Sequence, residues 1–180
     1  MKKQLEFKAD KVRGHLERIG GFANLPMEPI IGMKDPFHYR NKAQFPVGRN
    51  RDGKIVTGFY AGRTHSIIEN RDCVLGVPQN REILDRVIDY METYDISPYD
   101  EVTGKGLIRH IFTRYGYHTG EIMVCIVANG SRLPHQQELV KALREIPGMT
   151  SITLNINKNR NNVILGEKNP GSLGTGIYYR

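Results

Sequence analysis

A chain of 180 residues with 39% hydrophobic and 25% charged residues has the make-up of a globular protein with a sizeable core, which excludes a disordered or fibrous segment. Its formal net charge of +7 and sequence pI near 9.5 point to an anionic partner, because phosphate backbones favour such an excess through counterion release. No apolar run approaches the length of a membrane span and the first six residues hold no signal-type apolar core, so no membrane partner is expected and a cytoplasmic location is.

Leu5, Ala9, Val12, Leu16 and Ile19 recur at spacings of three and four, which predicts a helix over residues 3–19 stopped by Gly20-Gly21. Lys3, Lys8, Lys11, Arg13 and Arg18 make its other face basic, as a solvated helix face would be. The apolar stripe needs a cover, either from a neighbouring domain or from a second copy of the chain, so self-association through this helix is one expectation. Residues 22–37 hold Pro26, Pro29 and Pro36 and read as a linker or a short edge strand around Ile30-Ile31.

From Tyr39 the pattern changes to period two. Tyr39, Asn41, Ala43, Phe45 and Val47 fall on one side and Arg40, Lys42 and Gln44 on the other, predicting a strand with one packing face and one basic face. Asp52-Gly53 marks a hairpin turn before a second strand through Gly58-Phe59-Tyr60, and residues 65–69 suggest a third. Between residues 34 and 71 there are eight Lys/Arg against three acids. Most of the chain's excess charge therefore lies on this hairpin and its flanks.

Residues 80–94 place Ile83, Leu84, Val87, Ile88 and Met91 on one helical face, and there the charge reverses, with seven acids against two arginines over residues 79–103. Two strands follow, 106–114 and 121–128, the second continuously apolar as a central strand should be. Pro134 opens a helix with Leu139, Val140, Leu143 and Ile146 inward, Pro147-Gly148 ends it, and residues 150–157 alternate as a strand. Val163-Ile164-Leu165 reads as a last short strand. The expected fold is α+β, a mostly antiparallel sheet with helices on one face, plus the basic hairpin and the N-terminal helix. The expected division is an N-terminal helix over 1–21, a central α+β domain over 22–168 and a flexible tail over 169–180.

The histidines, 15, 38, 65, 110, 118 and 135, lack zinc-site spacing, and no Gly-x-Ser-x-Gly elbow or phosphate-binding Gly-x-x-x-x-Gly-Lys occurs. Gly171-Ser172-Leu173-Gly174-Thr175-Gly176 superficially resembles a nucleotide loop, but only four residues follow, and it belongs to the tail. Of the two cysteines, Cys125 sits in an apolar run and reads as a buried structural thiol, while Cys73 stands beside Arg71-Asp72 at a strand-to-helix junction. Two cysteines in such different settings argue against a disulfide framework and for a reducing compartment.

Phe37-His38-Tyr39-Arg40-Asn41-Lys42-Ala43-Gln44-Phe45, then Gly58-Phe59-Tyr60, then Cys73-Val74-Leu75, then Gly106-Leu107-Ile108-Arg109-His110 before Arg114 form an ordered set of motifs. Together they resemble the central region of the bacterial RNA (uracil-5)-methyltransferases, nearest the 23S ribosomal RNA branch, over roughly residues 3–168. The resemblance implies a parent enzyme with an N-terminal oligonucleotide-binding barrel, a central domain with a 4Fe-4S cluster and a C-terminal domain that binds S-adenosylmethionine. Three cluster cysteines of that family lie in a Cys-x5-Cys-Gly-Gly-Cys run before a helix like residues 3–19, and the fourth stands where Cys73 does. On this reading Cys73 is a cluster ligand in the parent only, and this fragment carries no cofactor of its own. The family's adenosylmethionine loop, its acidic ligands and its Ser-Cys-Asn-Pro nucleophile are missing, so the chain is expected to be catalytically silent alone. Residues 169–180 do not match the family's continuation. The RNA-binding residues expected are Arg40, Lys42, Arg49, Arg51 and Arg63, with Arg109 and His110 as further candidates and ribosomal RNA and the missing domains as partners. The alternative is a stand-alone RNA-binding or assembly module without catalysis.

Overall fold

The computed structural model describes residues 2–172. The chain divides after Phe37 into two compact units, later than the boundary expected at residue 21. The first holds helix α1, Lys2–Arg18, none of whose residues is buried. Gly21, at φ +69°, turns the chain so that the Phe22 N–H reaches back to the Leu16 carbonyl. Residues 30–31 form no strand; the segment after the helix passes close to the Leu5 side chain at Gly32.

The second unit contains β1 (Lys42–Arg49), β2 (Ile55–Tyr60), β3 (Ile67–Glu69), α2 (Gln79–Thr93), β4 (Ile108–Tyr115), β5 (Ile122–Ala128), α3 (Gln136–Arg144), β6 (Met149–Ile156) and β7 (Lys168–Ser172). Its strands make one sheet in the order β3-β2-β1-β4-β5-β6-β7. Every pairing is antiparallel except β5 with β6, which α3 joins as a crossover. The hairpin thus extends the sheet through β1 and β4.

The alternation expected from Tyr39 to Val47 is met only in part, since Tyr39 and Asn41 are exposed and Pro46 is buried along with its neighbours. Phe45 and Val47 enter the core with Ile83, Leu84 and Val87 of α2 and Leu139 and Leu143 of α3, while Lys42 is exposed. Pro46, which has no N–H to give a ladder, marks a handover: residues 42–46 of β1 pair with β4 and residues 47–49 pair with β2. The Pro46 carbonyl accepts from the Thr57 hydroxyl at 2.9 Å.

In β4 the register shifts between Ile108 and His110, leaving Arg109 as the extra residue of a bulge. Ile108 and Ile111, three apart instead of two, both reach the core as a result.

Two expectations need correcting. Residues 163–165 form no strand; the sheet takes its last strand from Lys168–Ser172, antiparallel to β6, so the tail expected from 169 starts as a strand. A run of Asn, Lys and Arg, 157–162, intervenes, and Asn157 uses its Nδ2 on the Val163 and Ile164 carbonyls, holding that segment as a turn. Residues 173–180, with most of the glycine-rich run, lie outside the described residues. Among the described residues no helix is long and apolar enough to cross a membrane.

Candidate nucleic-acid interface

Residues 38–40 run alongside the loop that carries Cys73. The His38 N–H donates to the Val74 carbonyl and the Arg40 N–H to the Leu75 carbonyl, each at 2.9 Å, and the His38 ring Nδ1 donates to the Gly76 carbonyl at 2.7 Å. Two of the sequence motifs, one ending in β1 and one around Cys73, are therefore physically laced together. Between them lies a cavity of about 230 Å³, lined by Arg40, Lys42, Phe45, Phe59, Cys73 and Asn80 among others. Asn80 is fixed there by the Thr113 hydroxyl, which donates to its Oδ1 at 2.8 Å.

The predicted cations do not form one wall. Lys42 opens β1 and Arg40 lies two residues before it, bridged to Gly76, and both are exposed. Arg49 is seven residues beyond Lys42, about 23 Å along an extended strand. By the alternation Arg49 falls on the side of Phe45 and Val47, and its Nη1 donates to the Gly53 carbonyl at 2.6 Å. Arg51 is exposed in the hairpin turn and Arg63, at φ +64°, in the turn before β3.

Arg109 and His110 are not on a surface at all, being 4% and 5% exposed. The Arg109 guanidinium turns inward to carbonyls and an aromatic ring instead of standing out to solvent as the RNA-binding expectation requires. His110 lies near the edge of the Tyr60 ring, at 6.4 Å between centroids, with its Nδ1 buried and unpartnered. Burial first, then the neighbouring Arg109 charge, pushes its pKa down to about 4. Tyr60, whose hydroxyl donates to Glu101 at 3.2 Å, is pushed up to about 12 by burial and by that carboxylate. The bulge at Arg109 is what aims these groups inward, and strand periodicity alone carried no sign of it.

Arg114 closes the fourth sequence motif but is not among the expected RNA-binding residues, yet the register sets it directly opposite Lys42. Both cations flank the Phe112 ring, at 5.6 and 5.8 Å from its centroid respectively. Knowing the β1–β4 register would have found it; the sequence does not print that register.

Cys73 is half-buried and Cys125 buried, with burial raising the Cys125 thiol pKa. A four-iron cluster takes four thiolates. Among the described residues no group of three or more His, Cys, Asp or Glu is placed to hold a metal, so this chain's own residues do not fit a cluster.

No family model matches the chain. It is 44% identical over 169 residues to an uncharacterized RNA methyltransferase of Caldanaerobacter subterraneus, covering 93% of this chain and 37% of that protein. It is 38% identical over 177 residues to an uncharacterized RNA methyltransferase of Bacillus cereus, covering 98% of this chain and 38% of that one. Nearly the whole chain is similar to part of an RNA methyltransferase. Among solved structures it is similar to the Pyrococcus abyssi tRNA (uracil-54, C5)-methyltransferase in complex with S-adenosyl-L-homocysteine. That likeness has a TM-score of 0.70 and 25% identity over 92% of this chain and 36% of that one. The chain thus spans less than two-fifths of the length of these relatives.

Proposed function

We propose that this chain is the RNA-holding middle region of an S-adenosylmethionine-dependent 23S ribosomal RNA uracil-C5 methyltransferase of the cytoplasm, and that it is catalytically silent alone. The observation that carries the reading is the pair Arg40 and Lys42, exposed and without an ion pair among the described residues, in a chain that matches RNA methyltransferases almost end to end. Four arginines among the described residues do meet acids, among them Arg71 with Glu69 and Asp85 and Arg86 with Glu82 and Glu145. Cations left unpaired on one strand end suit a phosphate backbone. Since modifying a base requires taking it out of its stack, single-stranded or remodelled RNA is the form to be held. Arg40, Lys42, Arg51 and Arg63 contact the backbone; Arg49 contributes from the far end of β1. In the parent, Cys73 supplies one ligand to a cluster whose other ligands come from elsewhere.

The test is the salt dependence of RNA affinity. Replacing Arg40 and Lys42 by Ala flattens the dependence of log K on log salt; an unchanged slope sinks the backbone-holding claim. Calorimetry with S-adenosylmethionine should show no binding to this chain, and measurable binding would overturn its reading as silent.

A further inference from the structure

We infer that Lys42 and Arg114 together form a seat for a single RNA phosphate. The inference rests on the RNA-binding reading above and deepens it by naming a residue pair and its ligand. Lys42 and Arg114 are Cα partners in the β1–β4 ladder, so their side chains leave the sheet side by side on the same face. Like charges directly opposite one another repel, and a carboxylate nearby would relieve them. None is supplied: neither cation takes part in an ion pair among the described residues, although the chain pairs Arg71, Arg81 and Arg86 with acids.

The ring between them explains how they are held. Phe112 is 4% exposed, paired across the strands with Gln44 on one side and Cys125 on the other. The Arg114 guanidinium carbon and the Lys42 Nζ lie 5.6 and 5.8 Å from its centroid, within reach of its π face. The ring thus orients two exposed cations whose charge it cannot neutralise. An anion between them would relieve the repulsion, taking a forked pair of N–H bonds from the guanidinium and a point charge from the ammonium. A phosphodiester oxygen pair has that chemistry. Arg40, two residues before Lys42, continues the row of cations along the chain and would meet a neighbouring phosphate.

The whole chain is titrated with a fluorescent single-stranded RNA oligonucleotide at several salt concentrations, using Arg114→Ala, Lys42→Ala, the double variant, Arg114→Lys and Arg40→Ala. Phosphate contacts on a single strand each contribute about 0.7 to the slope of log K against log salt. One shared phosphate predicts that the double variant is shallower than wild type by about 0.7, that Arg114→Ala already weakens binding several-fold, and that Arg114→Lys restores most of the slope. A loss of about 1.4 in the double variant means two separately held phosphates and overturns the shared seat. A slope unmoved by Arg114→Ala while Arg40→Ala still flattens it overturns the seat but leaves the RNA-binding reading standing. A wild-type chain with no salt-dependent affinity for RNA overturns both. Because both side chains are exposed, the variants should melt as wild type does, and Arg144→Ala on α3 serves as a charge-matched control with unchanged slope.

Discussion

The guanidinium of Arg109 lies 4.3 Å from the centre of the Tyr99 ring, while its Nη1 donates to the carbonyls of Asn157 and Asn159 at 2.9 and 2.7 Å. One side chain from the β4 bulge thus ties the segment before β4 to the loop after β6. Truncation would remove a buried stack and leave two carbonyls without their charged donor. We expect Arg109→Ala to lower stability by about 3 kcal/mol. Arg109→Lys should recover only part of it, since an ammonium cannot both stack and reach two carbonyls. Urea denaturation measures both. An RNA salt slope unchanged in a still-folded Arg109→Lys variant would separate this structural duty from RNA contact.

His110 gives a pH signature. Burial depresses its folded-state pKa to about 4, with Arg109 adding to the effect and Glu101 opposing it, against an ordinary value near 6.5. Between those values the unfolded chain binds the proton and the folded chain does not. Stability from this group is therefore complete above about pH 6.5 and falls as the pH drops towards 4, by up to roughly 3 kcal/mol. His110→Gln should flatten the stability profile over that window relative to wild type while leaving the neutral-pH arm similarly sloped. Parallel profiles for the two proteins would show that His110 is not the group titrating.

Much of the fold could be read from periodicity because one residue pattern decides each element. Phe45 and Val47 against Lys42, or Ile83 to Met91 on one face of α2, admit a single arrangement once a core exists. The motif glycine at 58 also proves to be structural: a Cβ there would run into the Ile68 carbonyl, so its place in β2 against β3 demands glycine. What stayed illegible depends on pairings between distant segments. The bulge that buries Arg109 and His110, the β1–β4 register that sets Lys42 against Arg114, and the strand at 168–172 all arise from which segments meet. A list of cations in sequence order therefore does not show that Arg109 and His110 are buried or that Arg114 stands beside Lys42.

The wall of the Cys73 cavity supplies the last prediction. Asn80 and Thr113, 5% and 3% exposed, join α2 to β4 through one hydroxyl-to-carbonyl bond of 2.8 Å. Thr113→Val keeps the shape but removes the donor, leaving the Asn80 Oδ1 buried without that bond, at a cost of about 1–3 kcal/mol. Asn80→Leu alone leaves the hydroxyl in the same position. If the bond is what matters, combining Thr113→Val with Asn80→Leu should cost clearly less than the two single changes added together, because no polar atom is then stranded. Strict additivity in urea melts would mean instead that each side chain is held by packing alone, and that the cavity wall does not depend on this bond.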